Sequence, residues 1–325
     1  MNALMDRLPK ADLESGHKMT SPLRKKSGKW NKITKNWELY LLLLPTIAYF
    51  IVMEYIPMYG LQMAFKDYVI SKGFFGSEWV GLKHFERFFD FYLFWDILRN
   101  TVLLSLYELA TFPIAVILAL LLNQLTSSKF KRFVQTVTYA PHFISTVVLA
   151  GMLYLFLSPR DGIINHFIEK LGGTSIFFFG EPAWFKSIFV WSGVWQNMGW
   201  GMIIYLAALT SISPELHEAA VVDGANKVRR IWHVDLPGIM PTVTILFILG
   251  VGNLMNLGFE KAYLLQNPLN IASSEIIQTY VYQKGLVGGQ FSYASAIGFF
   301  NSVVNFVLLL IVNTISRRMN QTSLW

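Results

Sequence analysis

The chain has 325 residues, 54% of them hydrophobic and 14% charged, with a mean hydropathy of +0.43, which is too apolar for a soluble domain of this length. Its formal charge of +7 comes from basic residues spread over short segments, not gathered into a patch interleaved with aromatics, and this argues against nucleic acid as a partner. With no cysteine, disulfides and thiolate metal ligands are excluded, and the composition is that of a polytopic membrane protein.

Residues 1–38 are polar and basic and contain neither an apolar core nor a small-residue cleavage site, so they read as a cytoplasmic tail and not as a cleaved signal. Within the tail, Trp30, Ile33 and Trp37 stand at i, i+3 and i+7 among lysines. That spacing fits an interfacial helix, and an unstructured basic tail fits the same residues. Six segments then reach the roughly 20 helical residues that a bilayer core requires: Leu39–Phe65, Ile97–Leu125, Phe133–Leu157, Ser187–Ser211, Gly238–Leu257 and Phe291–Ile315. The third is interrupted by Pro141 and His142. Six spans place both termini on one side. Lys and Arg decide which side: nine lie in the tail, three at Lys129, Lys131 and Arg132, three at Lys227, Arg229 and Arg230, and two at Arg317 and Arg318, so that side is cytoplasmic. Residues 39–325 form the six-span membrane domain, and the outer loops 66–96, 158–186 and 258–290, rich in aromatics and short apolar runs, are expected to pack as a cap.

Between the fourth and fifth spans runs EAAVVDGANKVRRIWHVDLPGIMP, Glu218 to Pro241. Ser213 is placed to cap a helix that starts at Pro214, with Glu215 in its positive first turn. Leu216, Ala219 and Ala220 then share one face, and Gly224 is positioned to end the helix in a left-handed conformation. Val228, Ile231 and Trp232 make a second apolar stripe, and Pro237 is expected to begin the next span. The hairpin at 213–237 carries apolar residues that its own length cannot bury, so it needs a covering surface. Anionic lipid and a protein groove both satisfy that need; the alternation of acidic and small residues points to the groove.

EAAVVDGA, followed by Leu236 and Pro237, is similar to the cytoplasmic signature EAAxxDGA…LPxxxP of carbohydrate permeases in ABC importers. YIPMYGLQMAFKDY, FPIAVILALLLNQ, YAPHFIS, GWGMIIYLAAL, LLQNPLN and the terminal SLW extend the likeness over nearly all of the chain after the tail, and resemble in particular the permeases for oligosaccharides such as aldouronate and alginate fragments. The resemblance implies an all-α type I permease fold in the bacterial inner membrane. It implies a coupling helix docked on a separate ATPase: Glu218 the acidic anchor, Ala219 and Ala220 the close-contact face, Gly224 the turn, and Asp223, Ala225, Leu236 and Pro237 the rest of the motif. It also implies a second, homologous permease, a pair of ATPases that hold the ATP and Mg²⁺, an extracytoplasmic sugar-binding protein and an oligosaccharide substrate. No cofactor is expected in this chain, since no GxxxxGK[ST] occurs in it.

Polar groups inside spans are costly and default to functional candidates. Gln196 and Asn197 in VWQNMGWG lie near Trp195 and Trp200, and Asn253 and Asn256 occupy the fifth span. Amides beside an indole match the needs of a sugar, whose hydroxyls want hydrogen bonds and whose C–H face stacks on a ring. Gln196, Asn197, Trp200, Asn253 and Asn256 are therefore the candidate substrate path, with hydrogen bonding between helices as the competing role. Gly199 and Gly201 favour close helix approach. Glu54 and Glu108 must each face a polar cavity, find a donor or take up a proton, and His142 is the single potential cation read within a span, so an acidic and a neutral sugar both stay open. No HExxH, GxSxG or clustered metal-ligand set is present, which removes catalytic and metal sites. An ion-gradient-driven secondary transporter is the rival reading; it predicts paired broken helices in repeated halves and leaves the 213–237 hairpin unexplained.

Overall fold

The structure is a computed structural model and describes residues 36–320 and 323–324. Trp30, Ile33 and Trp325 lie outside the described residues, whereas Trp37 opens a long helix. The chain divides into two units between Tyr59 and Gly60.

In the first unit, α1 (Trp37–Phe50) carries Pro45 in its interior, widens into a π turn at Ile51–Tyr55 and resumes at Ile56–Met58. Glu54 lies in that wide turn. The same arrangement recurs in the second unit, where a π turn at Ile231–Asp235 stands just ahead of Leu236 and Pro237. Pro57 and Pro237 each sit two residues past such a turn. A proline has no N–H for the carbonyl four residues back and its ring collides with that carbonyl; a wider turn moves the carbonyl aside and lets the helix continue.

Among the described residues of the second unit, regular structure is helical apart from a two-residue antiparallel pair, β1 (Lys66–Asp67) with β2 (Glu78–Trp79). Its principal helices are α2 (Lys83–Phe89), α3 (Phe94–Ala110), α4 (Pro113–Asn123), α5 (Ser128–Tyr139), α6 (Thr146–Phe156), α7 (Ile163–Lys170), α8 (Pro182–Thr210) and α9 (Pro214–Val222). They are followed by α10 (Lys227–Gly252), α11 (Phe259–Leu265), α12 (Ile271–Ser274), α13 (Ile277–Tyr282) and α14 (Phe291–Asn320).

Among the described residues, four helical stretches are long and apolar enough to cross a membrane: Trp37–Phe65, Phe94–Asn123, Lys227–Gly252 and Phe291–Arg318. The expected third span is not one kinked helix. Ser128–Phe143 and Thr146–Phe156 meet at an angle of 100°, because Ile144 and Ser145 take extended backbone after Pro141 and Ser145 then caps α6, its hydroxyl accepting from the Val148 N–H. The expected fourth span is α8, whose 29 residues amount to about 44 Å of helix at 1.5 Å per residue. Its tryptophans, glutamine and asparagine make it less apolar than the other four. The segment 258–290, expected as an outer loop, is more than a surface loop: Lys261, Ala262, Leu265, Ile276, Ile277 and Tyr280 are buried.

Lipid gives packed helices no hydrophobic reward, so a bundle depends on close van der Waals contact and polar ties. α8 packs on α4, α5 and α10, and α14 on α10, α2 and α13. At Gly199 the backbones of α8 and α5 meet: a Cβ there would lie 2.0 Å from the Thr138 carbonyl oxygen. Gly201 is different, since its Cβ would rest 3.5 Å from that of Ala115, an ordinary contact. Among the described residues, three apolar clusters form the core: one around Phe185, Phe189 and Leu104, one around Phe88, Ile97 and Tyr280, and one around Leu120, Met202, Leu209 and Ile239.

Candidate functional site

The hairpin begins where the sequence places it. α9 starts at Pro214 and stops before Gly224, whose φ is +75°, a conformation that costs glycine nothing. The Gly224 N–H bonds the Val221 carbonyl at 3.0 Å and the Ala225 N–H bonds that of Ala220 at 2.8 Å, closing the helix end as a glycine C-cap does. Two details differ from expectation. Ser213 occupies the N-cap position but its hydroxyl makes no capping bond, while Asn226 caps the next helix, its Oδ1 accepting from the Arg229 N–H at 2.9 Å. Furthermore, the second helix of the hairpin does not end before Pro237. It runs without a break from Lys227 to Gly252 through the π turn, so Leu236 and Pro237 lie inside one rod.

The outward surface of the hairpin is uncovered and apolar. Val222 is 86% exposed, and Leu216, Val221, Val228 and Trp232 are each more than half exposed. Glu218, Ala219 and Asp223 are exposed beside them, and Ala220 and Ala225 are half-buried. Such a surface on so short a projection asks for a covering partner.

The intramembrane amides separate into two groups. Around α8, Gln196 donates to the Ile144 carbonyl at 2.7 Å, tying α8 to the break between α5 and α6. Asn197 shares a 3.0 Å hydrogen bond with His142 Nδ1 and donates to the Gly193 carbonyl at 3.1 Å. The His142 ring lies flat on Trp200, with centroids 4.5 Å apart and planes 6° apart. Gln196 thus serves as a helix tie. Asn197 lines a cavity of about 330 Å³ together with Glu108, Tyr205 and Gly201, and Trp200 is half exposed.

The second group is a chain of amides where α10 gives way to non-helical backbone. Asn256 donates to Asn253 Oδ1 at 2.6 Å, Asn301 donates to Asn256 Oδ1 at 2.8 Å, and Gln278 donates to the Met255 carbonyl at 2.5 Å. Asn305, one turn beyond Asn301 on α14, accepts from the Met255 N–H at 2.9 Å. A cavity of about 510 Å³ opens beside this chain, lined by Gln278, Asn301, Ser295, Phe259 and Tyr282. Another of about 500 Å³ is lined by Asn253, Asn256, Ser105 and Glu108. Phe259, Tyr263 and Tyr282 form a contiguous aromatic wall with centroids 4.9 to 5.7 Å apart. Gln278 Oε1 and Asn301 Oδ1 are buried without a hydrogen-bond partner among the described residues, so the chain retains acceptors.

Gln278, Asn301, Phe259 and Tyr282 are absent from the sequence-based candidates. Asn301 and Asn305, four residues apart in an apolar span, were the available signal. Lys261 was equally unforeseen. It is a buried cation whose Nζ donates to the Phe189 carbonyl at 2.5 Å, rests 4.5 Å from the Phe189 ring centroid and acts electrostatically on Glu108. Glu108, for its part, opens into two of the cavities.

Residues 111–321, which take in α4 through α14, match the family described as binding-protein-dependent transport system inner membrane component. The chain belongs to this family. It is accordingly a multi-pass inner-membrane permease with the type I fold, a transport subunit and not an enzyme. It is 42% identical over 295 residues to the polygalacturonan/rhamnogalacturonan transport system permease protein YteP of Bacillus subtilis (strain 168), covering 90% of this chain and 92% of YteP. It is 43% identical over 288 residues to Protein LplB of the same organism, covering 88% and 91% of the two chains. Among solved structures, a chain of a bacterial ABC transporter involved in the import of the acidic polysaccharide alginate superposes with a TM-score of 0.82 at 40% identity, covering 90% of this permease and 99% of that chain. A bacterial alginate ABC transporter in complex with an alginate pentasaccharide-bound periplasmic protein matches with a TM-score of 0.83 at 39% identity, over 92% and 100% of the two chains.

Proposed function

We propose that this permease is one of two homologous membrane subunits of an ATP-driven importer for oligosaccharides, with uronate-containing chains as the substrate class. The observation that carries the ATP-driven reading is the hairpin, a short projection with an uncovered apolar face closed by a left-handed Gly224. A soluble motor subunit is a surface that fits it. In this reading both termini and the hairpin are cytoplasmic, ATP and Mg²⁺ reside on a pair of ATPase subunits, and an extracytoplasmic binding protein delivers the sugar to the outer segments. ATP-driven closure of the motor pair draws the two hairpins together and reorients the spans around the amide-lined cavities. The motor supplies the free energy by binding one conformation better than the other, and this chain performs no bond chemistry.

The substrate class is supported by the pectin-type and alginate transporters that the chain resembles. The amides and aromatic wall supply the contacts an oligosaccharide needs. They are neutral, so the acidic groups of the sugar find their counter-charge at the outer cations, where Arg87 donates to Gln290 and stands 4.3 Å from the Tyr293 ring centroid.

The test is uptake of labelled tetragalacturonate and of neutral maltotetraose into proteoliposomes carrying the whole importer. Uptake of the first is expected, dependent on internal ATP, with little of the second. Uptake driven by an ion gradient in the absence of ATP would remove the reading, and preference for maltotetraose would remove the uronate assignment. Trp200→Ala and Asn301→Ala should each weaken half-saturation for the transported sugar about tenfold, the loss of one ring contact or hydrogen bond at ~1.4 kcal/mol, with the ATPase still attached. If these variants only reduce the amount of protein in the membrane, their role is packing.

A further inference from the structure

Beneath the hairpin lies a polar cluster that neither the EAA motif nor the cavities account for. Asp235, the last residue of the π turn in α10, is fully buried. Its Oδ2 accepts from the Gln124 side-chain amide at 2.7 Å, and its Oδ1 faces His217 Nε2 at 3.4 Å, with no other partner for that oxygen among the described residues. These residues come from three elements: Gln124 occupies the C-cap position of α4, His217 sits mid-way along α9, and Asp235 precedes Leu236 and Pro237 in α10. Arg230, whose Nε is buried without a hydrogen-bond partner, acts on the same carboxylate electrostatically.

A buried carboxylate is tolerated only where charge and hydrogen bonds compensate it, and here the compensation joins the hairpin to two spans. Below it the contact is apolar and tight: Leu120, Leu122, Leu209 and Ile239 are buried there, packed by Ile212 and Leu236. At Gly238 a Cβ would lie 2.6 Å from the Ile212 side chain. The exposed face of α9 is therefore free for a partner, while on its other side the part-buried His217 faces the Asp235 carboxylate.

We infer that Gln124, His217 and Asp235 form a latch that splints the coupling helix to the cytoplasmic ends of α4 and α10, so that a push on the hairpin moves these spans as one rigid body. This rests on the hairpin being the motor contact. The three residues are positioning residues: they touch neither sugar nor nucleotide, and act by keeping α9 at a fixed distance from the spans. Without them the stroke would be absorbed by tilting of α9.

The chain contains no cysteine, so cysteines introduced at Glu215 in the first turn of α9 and at Ile117 of α4, both exposed, take spin labels only there. The labelled permease is assembled with its partner subunits, themselves freed of cysteine, and the distance between labels is measured without nucleotide and with trapped ATP. The wild-type latch should give one narrow distance in both states. In Gln124→Leu, His217→Leu and Asp235→Leu the distribution should at least double in width or split when ATP is trapped, while Asp235→Asn and the exchange Gln124→Asp with Asp235→Gln, which rebuild the bond, should return the narrow distance. A residue that only supported folding would lower protein yield without making the distance depend on nucleotide.

If Asp235→Leu is lost from the membrane, the Gln124→Leu and His217→Leu pair decides, since each leaves the carboxylate in place. An unchanged narrow distance in both of these overturns the latch. Co-purification with the ATPase separates the two levels. If Glu218→Lys detaches the motor but the latch variants behave as wild type, only the latch is wrong; if Glu218→Lys leaves the motor attached, the hairpin reading itself has failed.

Discussion

Gly224→Pro is expected to abolish transport while leaving the permease in the membrane, and Glu218→Lys is expected to do the same by another route. Gly224 has φ +75°, whereas proline is fixed near −65°, and proline also lacks the N–H that bonds the Val221 carbonyl. The combined penalty is roughly 3 kcal/mol or more, enough to unwind the end of α9 and turn its exposed face away. The spans would be little affected, since Gly224 has no neighbour within 4 Å of its Cβ position. Glu218→Lys leaves the backbone alone and reverses one exposed charge among small residues. Gly224→Ala is the graded control: a left-handed alanine costs about 1–2 kcal/mol, so transport should be reduced and not lost. The measurements are uptake, membrane content and co-purification with the ATPase. Normal uptake in Gly224→Pro and Glu218→Lys would show that the hairpin transmits nothing.

The hairpin was legible because its signals are local. Pro214, Glu215 and Gly224 each act on backbone within one turn of themselves, and the structure starts and stops α9 where they stand. The features that sequence reading missed depend on distant partners. Nothing in residues 227–237 alone says that the helix will survive Pro237; the π turn that permits it ends at Asp235, whose carboxylate is held by Gln124, 111 positions away. The amide chain is similar, because Asn301 joins Asn256 across 45 positions and Gln278 lies in a segment that reads as an outer loop. Pro141 and His142 mark the interruption, but the tie at the 100° turn comes from α8, where Gln196 donates to the Ile144 carbonyl from 52 positions away. Charge and periodicity disclose which segments are apolar. They do not disclose which polar side chains will meet between them.

Gly199 provides the sharpest test of the bundle itself, through comparison with Gly201 two residues on. Replacing glycine by alanine inside a helix ordinarily stabilises by roughly 0.5–1 kcal/mol, so Gly201→Ala, which only brings two methyl groups to 3.5 Å, should be neutral or slightly stabilising. At Gly199 the new methyl would lie 2.0 Å from the Thr138 oxygen and 2.4 Å from its carbonyl carbon. Backbone cannot rotate away as a side chain does, so α8 and α5 must move apart, and overpacking of this kind costs about 1–3 kcal/mol, occasionally more. The clash exceeds the propensity gain, and the sign is destabilising. The separation also pulls Trp200 off His142 and Gln196 off Ile144, both within one turn of Gly199. Gly199→Ala should therefore lower the thermal midpoint of the detergent-solubilised permease and weaken sugar recognition together, while Gly201→Ala should leave the midpoint unchanged or slightly raised. Equal midpoints for the two variants would mean that these helices do not cross backbone to backbone, and that the broken α5–α6 pair is held to α8 by its side-chain ties alone.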